Sequence, residues 1–192
     1  MPRQFRFTKD EIIDASITIV REKGFKAISA REIGKTLSSS SKPIFSLFEN
    51  MEEVNNEIIK RAYTIYTQYI ENAMKKNKWP KYKASGMAYI SFAKEERELF
   101  KLLFMRDRTN EEVEKLNFSP FTEILEKQLG ITKDEAELFH LEMWICVHGI
   151  ASMIATSFLD LDEETISNIL SDNFLGLKNR FLEKKNESNK VC

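Results

Sequence analysis

Residues 29–48 read SAREIGKTLSSSSKPIFSLF, and this stretch decides the fold. Ser29-Ala-Arg-Glu32 has the form of a capping box, in which a hydroxyl takes the N3 amide and a carboxylate reaches back to the cap. Ile28 and Ile33 stand where the accompanying hydrophobic staple belongs. The pattern predicts a short helix over about 30–37 and a polar turn through residues 38–41. A third helix is expected to start within or after the serines and run to about Phe48. Pro43 is tolerated there because the first turn needs no N–H partner. Ile33, Leu37, Ile44, Leu47 and Phe48 are read as the core of a three-helix unit, not as binding residues.

The same signals repeat outward. Thr8-Lys-Asp-Glu11 opens a first helix, about 9–23, and Gly24 fits the position just past its end. Asn50 caps a helix that carries Val54, Ile58, Ala62, Ile65, Tyr69 and Ala73 on one face, to about Lys76. Two helices are expected between Tyr82 and Met105, broken near 94–96, and one from Ser119-Pro120 to Gly130. Thr132-Lys-Asp-Glu135 opens a long helix to about Phe158, and Asp162 caps the last one. Residues 185–192 form a polar tail. The fold class is all-α, with about nine helices. Composition agrees, because 6 Gly, 4 Pro and 5 Val in 192 residues suit helices better than sheets.

Several classes are set aside. With 42% hydrophobic and 31% charged residues the chain is neither disordered nor fibrous. Cys146 and Cys192 make no disulfide framework and suit a reducing cytoplasm. His140 and His148 are too few for a histidine-built metal site. No signal peptide is visible, and the uncharged run 143–159 reads as a buried helix, so no membrane partner is expected. There is no convincing nucleophile, acid–base pair, phosphate loop or metal cluster. The chain is therefore read as a non-enzyme without a cofactor.

Residues 12–54 resemble the DNA-binding domain of the TetR family of one-component bacterial regulators. The resemblance rests on Ile12-x-x-Ala15, Gly24-Phe25, Ser29-Ala-Arg31-Glu-Ile33-Gly-Lys35, Ser40-x-x-Pro43-Ile44-Phe45-x-x-Phe48 and Glu52-Glu53-Val54. It implies a helix-turn-helix domain over 6–66, with the motif at 29–48. It also implies a helical ligand-binding and dimerisation domain over 67–184. Trp144-Ile-Cys-Val-His148-Gly149 is similar to a Trp and His-Gly pairing in the penultimate helix of one C-terminal domain type on such regulators. Two positions depart from the family pattern: Ser38 stands where a turn glycine is usual, and Met51 where a lysine commonly opens the next helix.

The physical reading runs beside the resemblance. The third helix of such a unit enters the major groove by its N-terminal residues. Ser40, Ser41, Lys42, Pro43, Phe45 and Ser46 form that set, able to bond base edges or touch a thymine methyl. For Phe45, packing is an equal alternative to base contact. Ser29, Arg31 and the arm residues Arg3 and Arg6 suit phosphates or the minor groove. Charge divides to match: residues 1–50 hold 9 Lys+Arg against 6 Asp+Glu, while the remainder holds 20 against 24. An average of −1 thus conceals a positive segment of +3.

Downstream, Met87, Phe100, Phe104, Phe121, Trp144 and His148 are the candidate lining for a small apolar or aromatic effector, His148 supplying a polar handle. Aromatic and methionine stripes are also what plain core looks like. The last two helices are expected to pair as a hairpin and form a homodimer interface. The expected function is a ligand-responsive repressor on a near-palindromic operator of double-stranded DNA. The alternative is a regulator of the same fold that acts mainly by protein–protein interaction.

Overall fold

The computed structural model describes residues 7–107 and 119–188. Arg3, Arg6 and Cys192 lie outside the described residues. Eight α-helices are present among them: α1 Lys9–Lys23, α2 Ala30–Thr36, α3 Met51–Lys76, α4 Lys81–Glu95, α5 Arg97–Phe104, α6 Ser119–Leu129, α7 Lys133–Ala155 and α8 Glu163–Ser188. Two 3-10 turns, Phe25–Ala27 and Ile44–Ser46, complete the order.

The caps explain most boundaries. Thr8 and Thr132 each accept an N3 amide while Glu11 and Glu135 bond back to the cap nitrogen, so both boxes are complete. The hydrogen bonds from Thr8 hold the Glu11 carboxyl below its ordinary range. The expected box at Ser29 is only half formed. Ser29 Oγ accepts from the Glu32 amide at 3.2 Å, but the Glu32 carboxylate goes to Lys23 instead. A charged partner competes better for a carboxylate than a neutral amide does.

The third helix of the sequence reading is corrected. Between α2 and α3 there is no α-helix, only the 3-10 turn Ile44–Ser46 with flanking turns. Four serines and a proline in six residues supply little helix propensity, so the segment follows what its packed side chains require. Ile44 is fully buried and Phe48 nearly so, and they pin the turn from below.

By compactness the chain divides into two units. One comprises Met1–Tyr69 with Phe92–Arg106, the other Ile70–Ser91 with Asp107–Cys192. In the first, α1 packs on α2 and α5, and its Ile12, Ile19 and Val20 reach 1% exposure or less. An aromatic cluster sits among Tyr66, Phe92, Phe100 and Phe104, with ring centroids 5.2–6.5 Å apart. Burial pushes the Tyr66 hydroxyl up to about 12. In the second unit α7 packs on α6 and α8. Its core comprises Tyr82, Leu125, Phe139, Met143 and Phe181. Helix α7 is long and apolar enough to cross a membrane by length and composition. Nine of its residues are buried, and Ala136, Phe139 and Met143 belong to this core.

Candidate nucleic-acid interface and sensor interior

The turn between α2 and Ile44 is built from backbone geometry. Ser38 donates to Lys35 O at 3.0 Å and Ser39 to Gly34 O at 2.8 Å, the bond pair of a Schellman ending. That ending needs a left-handed residue, and Ser38 takes it with φ 50°. The departure noted in sequence thus keeps the backbone shape that a glycine would hold without strain. A second glycine makes the approach possible. A Cβ on Gly34 would lie 3.0 Å from Ser39 O and Ser40 C, both backbone atoms. Gly34 therefore lets the serine loop lie directly against α2.

The loop and 3-10 turn present Ser40, Lys42, Phe45 and Ser46 to solvent, with Ser41 and Pro43 half-buried. Phe45 is 50% exposed, so at this position packing does not claim the ring. Ser46 Oγ donates to Lys42 O at 3.1 Å, and Ser29 Oγ is committed to its cap, so both hydroxyls are already engaged. Ser29 and Arg31 are exposed at the start of α2.

Partner accounting adds two residues that sequence reasoning missed. In the first unit Lys9, Arg21, Lys23, Lys60 and Arg61 meet the carboxylates of Glu53, Glu96, Glu32, Glu57 and Asp10. Lys26, Arg31, Lys35 and Lys42 are exposed and meet no carboxylate among the described residues. These four cations all fall between residues 26 and 42. Lys35 stands only within the family-like stretch 29–35 and Lys26 in no motif, because freedom from an ion pair depends on which acids other cations have claimed. A polar cleft of about 180 Å³ lies elsewhere in this unit, between α1 and α3, lined by Lys9, Asp10, Glu57 and Arg61. None of the residues read as ligand-binding lines it.

The interior of the second unit has two matched pairs. Tyr82 OH meets His140 Nδ1 at 2.9 Å, and Tyr89 OH meets His148 Nδ1 at 2.9 Å. The tyrosines are seven residues apart on α4 and the histidines eight apart on α7. His140 stacks on Phe121 at 5.1 Å, and His148 on Trp144 at 5.1 Å. Burial pulls the His140 ring down to about 4 and lowers the His148 ring, while it raises the Tyr82 hydroxyl. Each ring is therefore neutral at pH 7. His148 Nε2 also lies 3.3 Å from Ser152 Oγ.

The structure divides the expected effector lining. Met87, Phe121, Trp144 and His148 belong to the second unit. Phe100 and Phe104 belong to the aromatic cluster of the first, and Phe100 is fully buried there. The break at Glu96 ends α4 and starts α5, turning these two rings toward Tyr66 and Phe92. Tyr82 and His140 are the additions. A tyrosine eighty positions from the chain start and a histidine on an apolar stripe give no sign of each other in sequence.

Helices α7 and α8 also carry an outward face. Leu138 is 48% and Ile145 59% exposed, and Leu141 and Ile169 are exposed as well. A Cβ added at Gly149 or Gly176 would meet nothing within 4 Å.

Residues 82–170 match the family described as tetracyclin repressor-like, C-terminal domain. The fold is similar to that of a TetR-like transcriptional regulator from Rhodococcus sp. RHA1. That chain is 16% identical, with 94% of this chain and 99% of that one covered and a TM-score of 0.65. It is also similar to SmeT, the repressor of the Stenotrophomonas maltophilia multidrug efflux pump SmeDEF. There the identity is 16%, the coverage 94% and 91%, and the TM-score 0.52. No curated protein matches the chain by sequence.

Proposed function

We propose that this chain is a TetR-like transcriptional regulator, a ligand-responsive repressor that binds DNA as a homodimer. The observation that carries the reading is the segregation of exposed cations that form no ion pair among the described residues. Lys26, Arg31, Lys35 and Lys42 surround a turn whose Ser40, Ser41, Pro43 and Phe45 are available for base edges, with Ser46 left to accept because its hydroxyl proton goes to Lys42 O. Arg3 and Arg6, in the N-terminal arm of the sequence, would add phosphate or minor-groove contacts. Two such heads on a two-fold axis fit successive major grooves of a near-palindromic operator. The apolar outer face of α7 and α8, open at Gly149 and Gly176, supports dimerisation through these helices. Met87, Phe121, Trp144 and His148 support an aromatic or apolar effector in the second unit. Regulation requires that the effector bind the two states of the protein unequally. The protein works without catalysis, in the cytoplasm.

A second reading is favoured by one observation: Lys42 is the sole formal charge in residues 38–48, so the head could serve a protein partner. Footprinting on the region upstream of its own gene, at low and high salt, separates the two. The repressor reading expects a protected near-palindrome whose affinity falls steeply with salt, and no footprint at low salt removes it. Lys42→Ala and Ser41→Ala are expected to weaken binding without lowering the melting temperature. Lys42→Ala should also reduce the salt slope by about 1 for each head. Ile145→Arg is expected to give monomers by analytical ultracentrifugation.

A further inference from the structure

Several exposed cations in the second unit meet an acid. Lys75, Lys78, Lys133 and Arg180 reach Glu71, Glu163, Glu137 and Glu142. Lys83 does not. Its ammonium, half-buried on α4, donates to Ser167 Oγ and Ser171 Oγ of α8, both at 2.7 Å, and meets no carboxylate among the described residues. Ser171 passes its own hydroxyl proton to Ser167 O at 3.0 Å. Two donors are left over: the third N–H of Lys83 and the hydroxyl proton of Ser167. A positive charge drawn partly out of water without a counter-charge is unfavourable, and an incoming anion reverses that. Met87, one turn along α4, and Leu170, beside Ser171, are both buried.

We propose that Lys83, Ser167 and Ser171 form a binding site for a monoanionic carboxylate on an otherwise apolar molecule. One charge and two spare donors match the two oxygens and single charge of a carboxylate. A phosphate dianion asks for more of both. The proposal deepens the sensor reading above by naming the charged end of an effector, and it takes its regulatory meaning from that reading.

The test is calorimetric titration and thermal unfolding of the full chain, without DNA, at constant ionic strength. The probes are sodium benzoate, benzamide and sodium phosphate, against sodium chloride. Benzoate is expected to bind and raise the melting temperature, and benzamide and phosphate to bind about tenfold or more weakly. Lys83→Met should abolish the benzoate response, Lys83→Arg should retain it, and Ser167→Ala should weaken it several-fold. If Lys83→Met does not fold, the Ser167→Ala and Ser171→Ala double variant takes its place. Equal binding of benzamide or phosphate, no benzoate response beyond chloride, or an unchanged response in the variants overturns the site. Because DNA is absent, such a failure leaves the operator footprint standing, and a missing footprint leaves this titration untouched.

Discussion

Phe45 and Phe139 are the same side chain under opposite rules. Phe45 stands on a one-turn 3-10 element, half exposed, among serines and a lysine without a carboxylate partner. Phe139 lies in the middle of a 23-residue helix with no exposure, between Phe174 and Phe181 at 5.2 and 5.5 Å. The polar neighbours differ in the same sense. Around Phe45, Lys35 and Lys42 keep their bonding capacity for something outside the molecule. Near Phe139, the His140 ring is closed off by Tyr82 and Phe121. A surface keeps donors in water, where they are held at little cost. An interior must satisfy them internally or lose stability.

The largest effect expected from this contrast is on folding. Phe139→Ala should lower unfolding stability in urea by about 3–5 kcal/mol. Phe45→Ala should stay within about 0.5 kcal/mol while weakening operator binding. A comparable loss at both positions would mean that Phe45 is core and that the head is wrongly drawn. Next is Gly34→Ala, which drives a methyl group against the backbone of Ser39 and Ser40. It should cost about 1–3 kcal/mol and displace the serine loop, read as lost DNA affinity in the folded fraction. Ser38→Gly runs the other way. It relieves a left-handed residue and should raise stability by about 1 kcal/mol, with DNA affinity preserved. A destabilised Ser38→Gly would show that the serine side chain is needed for more than the turn.

At about pH 6 the smallest effect belongs to His140. Its ring is held near 4 in the folded chain against an ordinary 6.5. Between those values the unfolded chain binds a proton that the folded chain does not, so stability falls as pH falls through that window. His140→Gln keeps an acceptor for Tyr82 OH and cannot take up that proton. Its stability should therefore decline less steeply between pH 6.5 and 4, measured by urea midpoints at each pH. Equal slopes for the two proteins would place the histidine in water and undo the contrast with Lys42.

Helix caps were legible because they are local. Thr8 and Thr132 reach partners three residues away. Ser29 shows the limit, since Glu32 was claimed by Lys23 from the preceding helix. The third helix was misread for a related reason. Its apolar positions fit either a helix or a turn, and the depth of Ile44 and Phe48 decided for the turn. Composition could not tell which aromatic cluster Phe100 and Phe104 join. The break at Glu96 settled that.

From the residue order alone came the all-α class, the position of nearly every helix, the positive bias of the first fifty residues and the resemblance carried by residues 12–54. These follow from propensity, capping and periodicity, which act over a few residues. Tertiary structure decided which cations remain without acids, which histidine meets which tyrosine, and that Lys83 faces two serines across 84 and 88 positions of chain. Those are outcomes of competition among groups distant in sequence, and only the folded chain brings the competitors together.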